Sequence, residues 1–290
     1  MSELPLISVV TPSFNQAGFI EATLRSVLEQ DYPKTEYLVI DGGSRDGSVE
    51  IIRRYGDRLT RWVSEPDRGQ SHAINKGFAM ARGDVLAWLN SDDTYLPGTL
   101  AAVGEYFASH PETDLVYGDY AYIDPLGRTL WRRHVFGAMR YETLLYHDYL
   151  GQPSVFFRRS LLDRIGPLDE TLDYHLDWDL FLRMWKVCRP VHLPRVLATF
   201  RLVPGAKSNT QDSPHYTAGT VALQQRHRNT RFASPRLNGL WHRGCFYASF
   251  AVRAWAVIRD NPFRYLSVLK TMFPGRRFFR VWRARVQSPF

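Results

Sequence analysis

Short apolar runs and helical repeats alternate from Leu6 to Thr94, and this alternation constrains the fold more than any other feature of the chain. Leu6-Ile7-Ser8-Val9-Val10-Thr11 is a β-branched run halted at Pro12, which predicts a first strand. From Ala17 to Gln30 the apolar residues Phe19, Ile20, Leu24, Val27 and Leu28 share one helical face. Glu36 to Ile40 reads as a second buried strand, stopped by Asp41-Gly42-Gly43-Ser44. Ser48 to Tyr55 reads as a short helix and Leu59 to Ser64 as a weaker strand. Gln70 to Ala81 is helical, with Ala73, Ile74, Gly77, Phe78 and Ala81 inward. A strand covered on both faces then follows within Asp84 to Thr94. Strand and helix alternating over short connections predict an α/β fold with a mostly parallel sheet and right-handed crossovers.

The chain of 290 residues suits one large α/β domain with an appendage. Its two cysteines, Cys188 and Cys245, provide neither a disulfide framework nor a metal spacing, so both read as reduced thiols in a cytosolic setting. Met1-Ser2-Glu3-Leu4-Pro5 lacks the basic start and apolar core of a signal peptide. No uncharged apolar run is long enough to span a bilayer.

Function is expected where the polar residues fall. Thr11-Pro12-Ser13-Phe14-Asn15, Asp41-Gly42-Gly43-Ser44 and Asn90-Ser91-Asp92-Asp93 all lie just past the carboxyl ends of strands. In an open α/β sheet, ligands bind at that edge. Three such turns make a crevice of nucleotide size. Gly42 and Gly43 either let the backbone approach a ligand or simply form a tight turn. Asp92 and Asp93 are costly to hold together unless a cation or donors meet them, and a divalent metal would do so while also holding a phosphate. Their plainer reading is a polar turn before the helix that starts near Pro97. The chain has no Gly-x-Gly-x-x-Gly and no Gly-Lys-Ser/Thr loop, which counts against a dinucleotide oxidoreductase and a P-loop ATPase.

Farther along, Asp114 to Asp119 reads as a strand, and Tyr120 to Arg133 as a hairpin turning at Pro125-Leu126-Gly127. Gly151 to Arg159 reads as a strand leading into a helix from Ser160. Tyr174 to Arg183 reads as a largely buried helix. Its Asp177 and Asp179 are two residues apart and cannot share a face, so at most one points into the crevice. Asp179 reads as a structural partner of Arg183. His175 and His72 each read more readily as satisfied structure than as site residues. A strand from Val196 to Phe200 precedes a loop that carries Arg201 and Lys207.

The runs Ile7 to Asn15, Val39 to Gly47, Asp67 to Gly77 and Asn90 to Asp93, in that order and spacing, resemble the family-2 glycosyltransferases with the GT-A fold. The resemblance covers roughly residues 6–203. It implies a Rossmann-like, mostly parallel sheet with helices on both faces. It also implies inverting transfer of a sugar from a nucleotide diphosphate donor, UDP- or dTDP-linked, with Mg²⁺ or Mn²⁺. Carried over by position, Asp92 and Asp93 would bind the metal and the donor. Asn90 stands where the family has its first acid, and Ser91 lies between. Thr11, Pro12 and Asn15 would line the base and ribose pocket, Asp41 would touch the nucleotide, and Arg68 and Lys76 would help hold the donor. Many relatives have a second Asp where this chain has Gly42, and that Asp helps hold the base. Gln152 belongs to a Gln-Pro pair that often precedes the acceptor-side strand. Asp177 falls at the catalytic base. His175, Arg201 and Lys207 would contact acceptor or phosphate. A carboxylate taking the acceptor proton, with a metal meeting the leaving diphosphate, suffices for single displacement.

From Arg226 onward there are 14 Arg or Lys against a single acid, Asp260. That segment carries +13, which leaves −5 for residues 1–225 of a chain with net charge +8. Arg276 to Arg285 mixes Arg with Phe and Trp, as suits the headgroup zone of an anionic leaflet. A basic helical subdomain that docks on the catalytic domain or on a second subunit, as in a homodimer, is the alternative. No nucleic-acid motif accompanies the tail. The expected organisation is a GT-A domain over 1–208, with a donor half at 1–118 and an acceptor half at 119–208, and a basic, aromatic-rich helical extension over 209–290. The expected setting is peripheral, on the cytoplasmic membrane face, with a glycan or lipid-linked acceptor. Rival readings are a nucleotidyltransferase-like enzyme and a non-catalytic membrane scaffold that keeps the fold.

Overall fold

The computed structural model describes residues 3–135, 140–204, 214–228, 234, 237–245 and 247–248. By chain contacts it divides into residues 1–229 and 230–290. The first unit holds β1 (Ile7–Ser13), α1 (Ile20–Leu28), β2 (Thr35–Asp41), α2 (Ser48–Arg54), β3 (Arg61–Ser64), α3 (Gln70–Met80), β4 (Val85–Trp88) and β5 (Thr94–Tyr95). It continues with α4 (Thr99–Ser109), β6 (Leu115–Ile123), β7 (Thr129–Arg133), α5 (Tyr141–Tyr146), β8 (Val155–Arg158) and α6 (Arg159–Ile165). It closes with α7 (Leu176–Val187), β9 (Val191–Arg201) and α8 (Pro214–His227). The segment of α8, assigned from sequence to the extension that begins at 209, falls within the first unit.

The strands form one sheet in the order β3-β2-β1-β4-β8-β6-β9-β5, with β7 paired to β6. The β3-β2-β1-β4 half is parallel throughout. β8 runs against both β4 and β6, so β6 and its parallel neighbour β9 point the same way as β1 to β4. The expected parallel sheet is therefore the majority direction, interrupted by β8 and edged by the short β5 and by β7.

Why the sheet is buried on both sides follows from its residues. Val9, Val39 and Ala87 pack with Ile20, Leu24, Leu100, Val103 and Phe107 on one face. Their neighbours Val10, Leu38 and Leu86 pack with Ala73, Ile74, Phe78, Phe157 and Phe181 on the other. A two-residue side-chain period turns a continuous apolar run into two core layers. At Gly77 a Cβ would run into the Val10 side chain, so glycine lets α3 lie directly against β1.

One helix is shorter than its apolar spacing predicts. α1 starts at Ile20, not Ala17, and ahead of it the N–H groups of Asn15, Gln16 and Ala17 donate to Ser44 Oγ (2.7 Å), Ser48 Oγ (2.8 Å) and Asp46 Oδ2 (2.9 Å). Those bonds fasten the turn after β1 to the turn after β2.

Candidate active site

The turn after β4 is where the sheet presents its acids. Asp93 N–H donates to the Asn90 carbonyl at 3.0 Å and closes the turn. Thr23 Oγ1 donates to the Asp93 carbonyl at 2.7 Å, which ties the turn to α1. β5 pairs with β9 through Thr94↔Thr199, a register that sets Arg201 beside the acids. Arg201 N–H donates to Asp93 Oδ1 at 2.8 Å, and its Nε donates to the Asp92 carbonyl at 2.7 Å. Asp93 is thereby fully buried and held from the backbone. Asp92 is half-buried, and no side-chain donor among the described residues meets its carboxylate. Burial, with the charge of Asp92 beside it, pushes the Asp93 carboxyl well above the usual carboxylate range. Burial also raises Asp92, partly offset by its own N–H and by Arg201.

Arg201 differs from its expected place in a phosphate-binding loop. It ends β9, is 5% exposed, and spends its guanidinium on the carbonyls of Asp92, Asp124 and Pro125 (2.7–3.1 Å) and over the Phe19 ring. Its role is to brace the acidic turn. Lys207 lies outside the described residues.

The nucleotide-side residues are mostly committed to one another. Asp41 is 1% exposed. Its Oδ2 accepts from Gly43 N–H (3.0 Å), Ser44 N–H (2.9 Å) and Ser64 Oγ (2.8 Å), and its Oδ1 from Ser44 Oγ (2.5 Å). Thr11 is fully buried with its hydroxyl on Tyr37 OH at 3.0 Å. Pro12 is buried within β1. Asn15 is exposed in the left-handed region, φ 52°, with Oδ1 on Arg45 N–H. Arg68 and Lys76, expected at the donor, pair with Glu170 and Glu65 respectively. His72 Nδ1 takes the Arg68 N–H at 3.3 Å. Ser91 is buried in the turn.

Asn90 forms the centre of an amide chain. Gln70 Nε2 donates to its Oδ1 at 2.9 Å, its Nδ2 donates to Gln152 Oε1 at 3.1 Å, and Gln152 Nε2 donates to the Trp88 carbonyl at 2.8 Å. Gln152 thus links the end of β4 to the segment before β8 and is 4% exposed.

The second pair of acids opens α7. Asp177 and Phe181 are one turn apart on the same helical face. Phe181 stacks on Trp88, the last residue of β4, at 6.2 Å. Asp177 therefore rides the face of α7 that packs toward the strand delivering Asp92. Its Oδ1 takes the Trp178 N–H at 2.9 Å, and burial raises its carboxyl, offset in part by that N–H and by His175. Asp148, two residues beyond α5, stands close enough that the charge of Asp177 adds to burial in raising it well above the usual range. Its Oδ1 is buried with no donor. Sequence patterning offered no signal for Asp148, since it sits outside any motif. Asp179, on another face, is fully buried and pairs with Arg183 Nε at 2.8 Å and His227 Nε2 at 2.7 Å. His175, in the left-handed region at φ 62°, turns its Nε2 to the Tyr216 carbonyl (3.2 Å) and Thr220 Oγ1 (3.1 Å) of α8.

Solved structures with the same architecture are glycosyltransferases of the GT-A type. S. aureus TarS 1-349 in complex with UDP-GlcNAc superposes at a TM-score of 0.59, with 18% identity, over 90% of this chain and 69% of that one. The mannosyltransferase PcManGT from Pyrobaculum calidifontis, in complex with GDP-Man and Mn²⁺, does so at 0.61, with 20% identity, over 97% and 83%. The chain itself belongs to glycosyl transferase family 2, whose model matches residues 8–166, and it is a glycosyltransferase. It is 31% identical over 214 residues to a PGL/p-HBAD biosynthesis glycosyltransferase of Mycobacterium bovis, covering 71% of this chain and 80% of the relative. It is also 29% identical over 269 residues to an uncharacterized glycosyltransferase of Mycobacterium tuberculosis, covering 92% and 100%.

Proposed function

We propose that the protein moves a sugar from a UDP- or dTDP-linked donor to a hydroxyl of a glycan or lipid-linked acceptor, by single displacement with inversion. The observation that carries this reading is the placement of two under-bonded acids, Asp92 beyond β4 and Asp177 on the α7 face that packs against β4 through Phe181 and Trp88. Asp177 accepts the acceptor's proton as the new bond forms on the far side of the sugar, and one such base suffices.

The residues fit a divalent cation, Mn²⁺ or Mg²⁺. Asp92 and Asp93 are hard oxygen donors held side by side at a cost that positive charge would relieve. No set of three candidate ligands occurs among the described residues. Such ions commonly bind through one or two carboxylates plus substrate phosphates. When bound, the ion would supply the positive charge that meets the leaving diphosphate. Asp92 would hold it directly, while Asp93, tied to Arg201, keeps the turn in shape. The exposed Phe14 past β1 offers the base an aromatic face.

No helix among the described residues is long and apolar enough to cross a membrane. The tail that motivates binding to an anionic cytoplasmic leaflet, or pairing of two chains, lies outside them beyond 248.

The test is Asp177→Asn, assayed with a panel of nucleotide sugars and Mn²⁺. Transfer should fall by about 10²–10⁴-fold, the usual contribution of a general base, while nucleoside diphosphate affinity stays unchanged. Wild-type turnover by that variant removes Asp177 from the chemistry.

A further inference from the structure

We propose that Asp67 reads the base of the bound nucleotide, its second carboxylate oxygen, given room by the absent side chain at Gly42, taking a ring N–H from the crevice. This rests on the nucleotide-sugar reading above.

Acids follow β2 and β3 at the sheet edge where the crevice opens, and most are already used. Asp41 takes four donors of its own turn. Asp46 takes Ala17 N–H (2.9 Å), Ser48 N–H (3.0 Å) and Ser48 Oγ (2.6 Å). Glu65 is paired with Lys76. Asp67 is different. Its Oδ1 takes the Gly69 N–H at 2.8 Å and closes the turn into α3, while no donor among the described residues meets Oδ2. The acid is half-buried.

What faces Oδ2 is the bare backbone of residue 42. A Cβ there would lie 2.6 Å from Oδ2 and 3.0 Å from the carboxyl carbon. Nor is that backbone free to swing away, because Gly42 N–H donates to the Ser13 carbonyl at 2.8 Å. Glycine at 42 is therefore what leaves the Asp67 carboxylate room beside the ends of β1 and β2. The substitution that a sequence reader takes as the loss of an acid at 42 coincides with an acid brought to the same place from the next loop.

An ionised carboxylate only accepts hydrogen bonds. It selects bases that present a ring N–H: N3–H of uracil or thymine, or N1–H of guanine. Neutral cytosine and adenine offer a lone pair at the corresponding nitrogen and would leave both acceptors facing each other, which a hydrogen-bonding site rejects strongly.

The test is calorimetric titration of the full chain, with Mn²⁺, against UDP, dTDP, GDP, CDP and ADP. Wild type should bind at least one of the first three about tenfold or more tightly than CDP and ADP, the cost of one unmatched polar contact. Asp67→Ala should erase that preference. Asp67→Asn, whose amide can turn either its C=O or its NH₂ to the base, should narrow the UDP-to-CDP ratio. Gly42→Ala should act like Asp67→Ala while leaving the acid in the sequence, with thermal unfolding as the check that each variant is folded. Folded Asp67→Ala and Gly42→Ala proteins that keep the wild-type preference overturn the proposal and leave the nucleotide-sugar reading intact. A wild-type protein that binds CDP or ADP as tightly as UDP, dTDP and GDP also overturns it. Wild type that binds none of the five diphosphates removes both.

Discussion

The turn after β4 and the first turn of α7 each carry two acids, and each treats its two members in opposite ways. After β4, Asp93 is buried and takes the Arg201 N–H, whereas Asp92 has no side-chain donor among the described residues. In α7, Asp179 is buried between Arg183 and His227, whereas Asp177 has the Trp178 N–H and little else. The tied acid in each pair is part of the framework, and the other is left with unspent lone pairs. Their titrations diverge accordingly in α7. Burial would raise Asp179, but His227, Arg183 and Arg226 outweigh it and hold the carboxyl below its usual range, while Asp177 is raised. Hydrogen-bond saturation, more than burial, thus separates the acids fixed in the framework from those left able to take a further partner.

The sharpest way to break this contrast is a stability crossover within α7. Asp179→Ala leaves Arg183 and His227 without their buried partner and should cost about 3–5 kcal/mol, the range for breaking a buried pair. Asp177→Asn keeps an oxygen for the Trp178 N–H and removes a carboxylate whose ionised form burial penalises. It should change stability by less than about 1 kcal/mol, although transfer should fall by about 10²–10⁴-fold. Denaturant unfolding of both variants reads the difference, and equal losses would mean that Asp177 is framework too. The turn after β4 gives a smaller effect of the same kind. Mn²⁺ at about 100 times its Kd should stabilise the wild type by about 2.7 kcal/mol, a shift of several degrees in Tm for a chain of this size. Asp92→Asn should lose that shift while keeping the metal-free Tm. A full shift in this variant would move the metal contact to Asp93 or elsewhere.

The donor half was more legible in the sequence than the acceptor half, for physical reasons. Strands covered on both faces leave continuous apolar runs, and β1, β2 and β4 were readable as such, with turns that land at the ligand edge. The pairing of Asp179 with Arg183 was readable from helical spacing alone. Saturation was not, because it depends on groups distant in sequence. The bond from Ser64 to Asp41, 23 residues away, has no sequence signal. Arg201 looks like a loop cation until β9 proves to run through it. Asn90 looks like a missing acid, yet its amide is fixed in polarity by Gln70 and Gln152, since Gln152 Nε2 is already spent on Trp88. The two-residue β5 has no sequence signature at all, although its register places Arg201 beside the acids. Asp67 and Asp148 were missed for the same cause, since each matters only through what lies across from it.

The subtlest prediction concerns the electrostatic coupling of Asp148 and Asp177. Burial raises both, and the charge of Asp177 adds to the rise at Asp148, so the two acids titrate as a coupled pair. In the proposed mechanism the working form has Asp177 ionised. Its folded pKa is raised, so activity should be present above that raised value and lost as pH falls through it, with the acid limb of the kcat profile above the ordinary aspartate range near 3.9. His175, whose own pKa is lowered by burial, offsets part of the rise at Asp177. Asp148→Asn imitates the protonated acid. It should therefore keep kcat within about threefold at neutral pH, a change of well under 1 kcal/mol, and hold the acid limb in place while removing any second step at higher pH. A tenfold or larger loss in kcat, or an acid limb displaced by a full unit, would show that Asp148 is ionised in the working enzyme and that both acids of this corner act on the acceptor.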